Sequence, residues 1–199
     1  MPGLARAPDP EVPVFDTVLG IPLHPLVVHA VVVLAPLTAL LMVLFAVSAR
    51  FRAWSGLLTP VVATLTLVLS PVATQSGETL QERVPENSLV HEHAEIGDTL
   101  PWVLLLATAA AWLMWWFWRR EAAQVPPALG PTGGSAAGAT DGGTRRGAST
   151  LFRVLAVAGV LVAVGLAVDI TLVGHSGAQA VWGQVGSQPA PAGEGGEDG

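Results

Sequence analysis

Residues 21–47, IPLHPLVVHAVVVLAPLTALLMVLFAV, decide the fold. From Leu26 to Val47 the run holds neither acid nor arginine, and it closes on Arg50 and Arg52. A bilayer core is crossed by about 20 apolar residues of helix, so this block is long enough to span one. Three further blocks match it in kind. The second runs from about Trp54 to Ala73, is rich in threonine and carries Pro60 and Pro71. The third, Leu100 to Trp118, stops at Arg119 and Arg120; the fourth, from about Val154 to Val173, follows Arg153 and stops at Gly174.

Composition agrees with the blocks. Of 199 residues, 51% are hydrophobic and 12% charged, about half the charged fraction of a soluble domain. The expected fold is an all-α membrane protein, a four-helix transmembrane bundle with a short helical outer loop. Helices one to three with the folded loop 75–99 occupy residues 21–118, and helix four with an outer motif occupies 151–182. The chain has no cysteine, which excludes disulfides, thiolate metal sites, iron–sulfur clusters and cysteine nucleophiles. Residues 1–20 lack the apolar core of a cleaved signal peptide and read as an outer amino-terminal segment. Residues 121–150 and 183–199 are rich in Gly, Ala and Pro or in acids, and read as a disordered cytoplasmic linker and a disordered acidic tail.

Within the loop, Ser76 is placed to cap a short helix, GETLQERV, that Pro85 ends. Leu89, His93, Ile96 and Leu100 then recur at helical spacing on one stripe, with His91, Glu95 and Asp98 on another.

Arginines set the expected orientation. With the amino terminus outside, Arg50, Arg52, Arg119, Arg120, Arg145, Arg146 and Arg153 fall inside, and only Arg6 and Arg83 outside. Positive residues favour the cytoplasmic side, so both termini are expected to be extracytoplasmic. Trp54, Trp115, Trp116 and Trp118 then mark the inner interface, and Trp102 and Trp182 the outer one. On this topology all five histidines, His24, His29, His91, His93 and His175, lie at the outer face.

His29 lies about one turn inside the first helix, and Asp169 stands five residues before Gly174 at a similar depth. An ionisable residue at that depth marks a functional site by default, and a His29–Asp169 hydrogen bond would satisfy both. His24, His29, His93 and His175 are the candidate ligands of one haem, such as haem b, or of one divalent metal ion, because imidazole suits haem iron, copper and zinc. Asp169 and Glu95 are the candidate charge partners. Against this stands the plainer reading that His29 and Asp169 pair to hold two helices, with His91 and His93 solvated on an acidic helix. Two bound haems are excluded, because the inner half has no histidine and only Met114 as a soft ligand.

Other signals concern packing. Pro101 reads as the start of the third helix, with Thr99 or Asp98 capping. Gly159, Ala163 and Gly165 give the fourth helix a small-residue face. The sequence contains no phosphate loop, nucleophile elbow or HExxH, and nothing in it supports nucleic-acid binding.

The runs IPLHPLVVHAVVVLAPL, SGETLQERV, HEHAEIGDTL and VGHSGAQAVWG resemble a family of bacterial membrane proteins catalogued as domain of unknown function 2231, in its actinobacterial branch. The resemblance spans the chain apart from the linker and the two tails, and it implies the four-helix fold without an activity. His24, His29 and His175 match its motif positions, as do Glu78 and Glu95. Some relatives are joined to Rieske-type or cytochrome-type domains, which implies a setting of extracytoplasmic electron transfer.

The leading expectation is a bundle in the lipid bilayer that binds one haem or metal ion at its outer face, for extracytoplasmic redox or metal handling. It would serve a redox partner or a homo-oligomer. The alternative is a non-catalytic accessory protein whose acidic outer loop contacts a partner. Proton sensing by the His/Asp cluster ranks third.

Overall fold

A computed structural model describes residues 17–18, 21–81, 88–124 and 149–183. Within them a two-residue antiparallel pairing, β1 (Thr17–Val18) with β2 (Ile21–Pro22), precedes six helices. These are α1 (Leu23–Val47), α2 (Ala49–Ser55), α3 (Leu58–Gln81), α4 (Ser88–Gly97), α5 (Leu100–Ala123) and α6 (Thr150–Trp182). The four long helices, α1, α3, α5 and α6, are apolar enough to cross a membrane. The 25 residues of α1 reach about 37 Å at 1.5 Å per residue. The 33 of α6 reach about 50 Å, so one end of it stands clear of a hydrocarbon core of about 30 Å. The expected linker and acidic tail lie almost wholly outside the described residues.

Helices α1 and α5 run one way and α3 and α6 return. Around the bundle, α1 packs on α3 and α6, and α5 packs on the same two, so α1 and α5 face each other across a diagonal. Between their ends the outward faces are largely apolar, as Val33, Leu40, Val61, Val68, Leu106, Val157 and Leu161 show. In water these would be a liability; against acyl chains they are the required solvent-facing surface.

Local chemistry sets the ends. The Ser48 hydroxyl accepts from Phe51 N at 3.1 Å and starts α2. Gly56, at φ 51°, turns the chain into α3. Arg52 Nη1 donates to the carbonyls of Phe45 and Ala46 at 2.7 and 2.9 Å, covering the open carbonyl end of α1. Burial lowers the pKa of this guanidinium, and the charge of Glu121 partly opposes the shift. Opposite, Ser149 caps α6 at Phe152 N and donates to the Glu121 carboxylate, tying α6 to the end of α5.

Inside the spans, polar groups are answered within the protein. Pro71 has no N–H for the Leu67 carbonyl, and the Ser70 hydroxyl donates to that carbonyl instead, at 3.0 Å. Thr66 donates to Val62 O, which leaves Thr38 to donate to Thr66 Oγ1 across the α1–α3 contact, at 3.2 Å. Thr108 reaches Ala63 O, and Trp112 Nε1 reaches Thr64 Oγ1, across α3–α5.

Two expectations are corrected. Ser76 does not begin a helix: α3 runs unbroken to Gln81, and the Ser76 hydroxyl donates to Ala73 O, back within the same helix. The sequence signal misled because serine bonds as readily to a carbonyl three residues before it as to an N–H after it. Gly159 and Ala163 are buried in the packed face, but Gly165 faces outward. Its offset from Ala163 is about 200° around a helix, which puts the two on opposite sides.

The bundle is an internal repeat. Every buried residue of α5 has a buried counterpart on α1 sixty-nine residues earlier: Val31 for Leu100, Ala35 for Leu104, Thr38 for Ala107, Ala39 for Thr108, Met42 for Ala111 and Phe45 for Met114. The α3 positions Thr59, Ala63, Thr66 and Ser70 match Gly159, Ala163, Leu166 and Ile170 of α6 a hundred residues later. The two offsets pair α1 with α5 and α3 with α6, the helices that lie across the two diagonals of the bundle. At the arginine-rich end, the Arg52 guanidinium of α2 lies over the Phe152 ring of α6, 4.8 Å from its centroid.

The Met114 side chain of α5 lies on Gly159 of α6, where an added Cβ would come within 2.6 Å of Met114 Sδ. Replacing Gly159 by Leu should destabilise the bundle by about 1–3 kcal/mol, the usual cost of overpacking. Replacing Gly165 by Leu should be neutral. Thermal unfolding in detergent checks the contrast.

Candidate functional site

Of the five histidines, only two turn into the bundle. His24, at the start of α1, places Nδ1 3.1 Å from both Ala73 O and Ser76 Oγ of α3. Its ring lies against Gly77, where a Cβ would meet Cε1 at 3.0 Å. His93, on α4, places Nδ1 2.9 Å from Ser176 Oγ of α6 and also bonds the Val173 backbone. Its ring lies against Gly177, where a Cβ would meet Cε1 at 3.1 Å. Each serine also donates to the carbonyl three residues before it, Ala73 or Val173, at 3.0 Å.

These are two copies of one device. His93 follows His24 by the same sixty-nine residues that relate α5 to α1, and Ser176–Gly177 follows Ser76–Gly77 by the hundred that relate α6 to α3. Burial stripes in any bundle share a helical period, so their match alone is weak. The latch falls on the same two offsets and is independent of burial.

The partners fix the chemistry of each ring. The Ala73 carbonyl only accepts, so His24 Nδ1 carries the proton; the Ser176 hydroxyl, with its own proton on Val173 O, accepts from His93 Nδ1–H, and each neutral imidazole keeps its lone pair on Nε2. That tautomer, with Nδ1–H on a carbonyl or hydroxyl, is the arrangement found behind metal-ligating histidines. His24 and His93 also lie within electrostatic reach of each other. Below them, at the α5–α6 contact, Thr99 Oγ1 sits 2.7 Å from both Ile96 O and Asp169 Oδ1, and its single proton serves one at a time. Asp169 Oδ2 is buried without a partner.

The remaining candidates are placed elsewhere. The expected His29–Asp169 bond does not form. His29 is exposed and its Nδ1 donates to Pro25 O at 2.5 Å, whereas Asp169 faces the start of α5. The two share a depth, but they look out from different faces of the bundle. His175 is exposed because Val173 and Ser176 hold the inward positions of that turn. Glu78 is exposed. Glu95 pairs with His91 at 3.3 Å, one turn along α4, with both side chains 70% exposed. Leu89, His93, Ile96 and Leu100 do form the inward stripe and His91, Glu95 and Asp98 the outward one. Among the described residues no group of three or more His, Asp or Glu is arranged to hold a metal ion.

Sequence reasoning missed Ser76, Gly77, Ser176 and Gly177. The signal was the Ser-Gly dipeptide recurring at the ends of two apolar blocks, each near a histidine from another block.

The chain belongs to the DUF2231 family of predicted membrane proteins, whose pattern it matches over residues 20–188. No curated protein and no solved structure matches it.

A double-mutant cycle on His93 and Ser176 should return a coupling of about 0.5–1.5 kcal/mol, that of a made hydrogen bond. The exposed His91–Glu95 pair should return no more than about 0.5 kcal/mol, lost in salt. Chemical unfolding of the four proteins in each cycle measures both.

Proposed function

We propose that the protein is a membrane-embedded holder of one histidine-ligated centre, a haem or a transition-metal ion, at the histidine end of its bundle. There it serves redox or metal handling outside the cytoplasm. The observation that carries this reading is that His24 and His93 both commit Nδ1–H to the protein and both keep Nε2 for a ligand. Half-buried imidazoles with a fixed tautomer and an unused lone pair are what haem iron, copper and zinc take from a protein. The arginine distribution supports placing this end on the extracytoplasmic side.

A second reading is favoured by α4 itself. Glu92, Glu95 and Asp98 are all exposed on its outer side, an acidic face suited to a basic partner protein. On that reading the histidine latches are structural and the helix is the working surface.

Protein purified from its membrane should carry one equivalent of haem, seen as a Soret band, or one of copper, zinc or iron by elemental analysis. His24→Ala and His93→Ala should each abolish it, while His29→Ala and His175→Ala leave it intact. An empty wild-type protein that stays empty on reconstitution sinks the proposal. Orientation has its own check, because the chain has no cysteine. A membrane-impermeant thiol reagent applied to whole cells should label Glu92→Cys and spare Arg120→Cys.

A further inference from the structure

Independently of the histidines, we infer that the junction between α4 and α5 forms, with Asp169 of α6, a binding site for one monovalent alkali cation, sodium in the first place.

The hydrogen bonding there is short of one positive charge. Thr99 Oγ1 lies 2.7 Å from Ile96 O and 2.7 Å from Asp169 Oδ1. Two oxygen–oxygen approaches of that length need two protons between them, and the hydroxyl has one. Asp169 Oδ2, on the same carboxylate, is buried with no partner. A proton added to the carboxyl would answer one of its oxygens; a cation seated on the carboxylate answers both.

The described residues hold no cation within reach of it. No arginine or histidine among them pairs with Asp169. On α6 the nearest arginine, Arg153, stands sixteen residues away, roughly 24 Å along the helix.

The neighbouring donors suit a hard ion. Helix α4 ends at Gly97 and α5 begins at Leu100, so the carbonyl end of α4, the negative end of its dipole, lies beside Asp169. Pro101 has no N–H to return to the Gly97 carbonyl four residues before it. Carboxylate and carbonyl oxygens are the ligands of hard cations, and interrupted membrane helices hold sodium with such freed carbonyls. Asp98, the adjacent acid, is exposed. One carboxylate balances one charge, whereas a calcium ion, which draws on about six to eight oxygens, would leave an excess charge in apolar surroundings.

The repeat sets the pair apart. Thr99 and Asp169, which meet in space, stand where the other half has Ala30 and Leu69. The two positions are polar together in one half and apolar together in the other, so the fold does not need the pair and the pair acts as a unit.

The test is thermal unfolding of the purified protein in detergent as sodium chloride replaces choline chloride at constant ionic strength, with equilibrium dialysis against radioactive sodium alongside. Wild type should bind one sodium per chain, and its Tm should rise saturably with sodium. Asp169→Asn keeps the shape of the side chain and should lose both responses. Thr99→Ala combined with Asp169→Leu installs the residues of the other half. That protein should lose both responses and unfold at no lower temperature than sodium-free wild type, because a buried unpaired carboxylate has been removed. His24→Ala and His93→Ala should keep the sodium response, which separates this site from the histidine centre. Sodium retained by both Asp169 variants overturns the inference. So does a Tm that follows pH and ignores sodium, the result expected of a proton alone, and so does a Tm that answers calcium at lower concentration than sodium.

Discussion

Lipid gives two apolar helices no reward for leaving it, because acyl chains are as apolar as leucine. A bundle in a bilayer is therefore held by close backbone approach and by hydrogen bonds between helices. Gly159 under Met114 is the close approach. The bonds are Thr38 to Thr66, Thr108 to Ala63 and Trp112 to Thr64 in the spans, with His24 to Ser76 and His93 to Ser176 at one end. The two histidine latches differ from the rest in what they leave over. A threonine hydroxyl bonded to a carbonyl has spent its proton, whereas an imidazole bonded through Nδ1 still has a second nitrogen. The contact that fastens the helices thus leaves that second nitrogen uncommitted.

The repeat shows which features each half shares and which belong to one half only. Both halves keep the latch and the spacing of the buried inner stripe. Only the first carries the Thr38–Thr66 bond, replaced by Ala107 and Leu166 in the second. Only the second carries Thr99 and Asp169, where the first has Ala30 and Leu69. A buried carboxylate oxygen without a partner is costly in low dielectric. Its presence in one half alone breaks the symmetry of an otherwise matched pair, directly beneath one of the two rings.

The four spans, and the inward and outward stripes of α4, were legible in the sequence because they rest on local hydropathy and helical period. Contacts between spans were not. His29 and Asp169 have the right depth for each other, and depth can be counted along a chain. Which way each looks depends on how the helices are rotated about their axes, and packing decides that. Ser76 illustrates the same limit at one residue: its serine reads as a helix start, yet its hydroxyl bonds backward and the helix continues. The repeat itself was nearly invisible, since the halves share burial pattern and geometry but few residue identities. Only the Ser-Gly pairs and their histidines carry it at the level of letters.

The two ends of the bundle are finished differently. At the arginine end the Arg52 guanidinium of α2 lies over the Phe152 ring of α6. Arg52 is further tied down by the Phe45 and Ala46 carbonyls, so opening that end would strand both a buried guanidinium and the open end of α1. At the histidine end each ring, His24 or His93, lies against its own glycine and bonds its own serine.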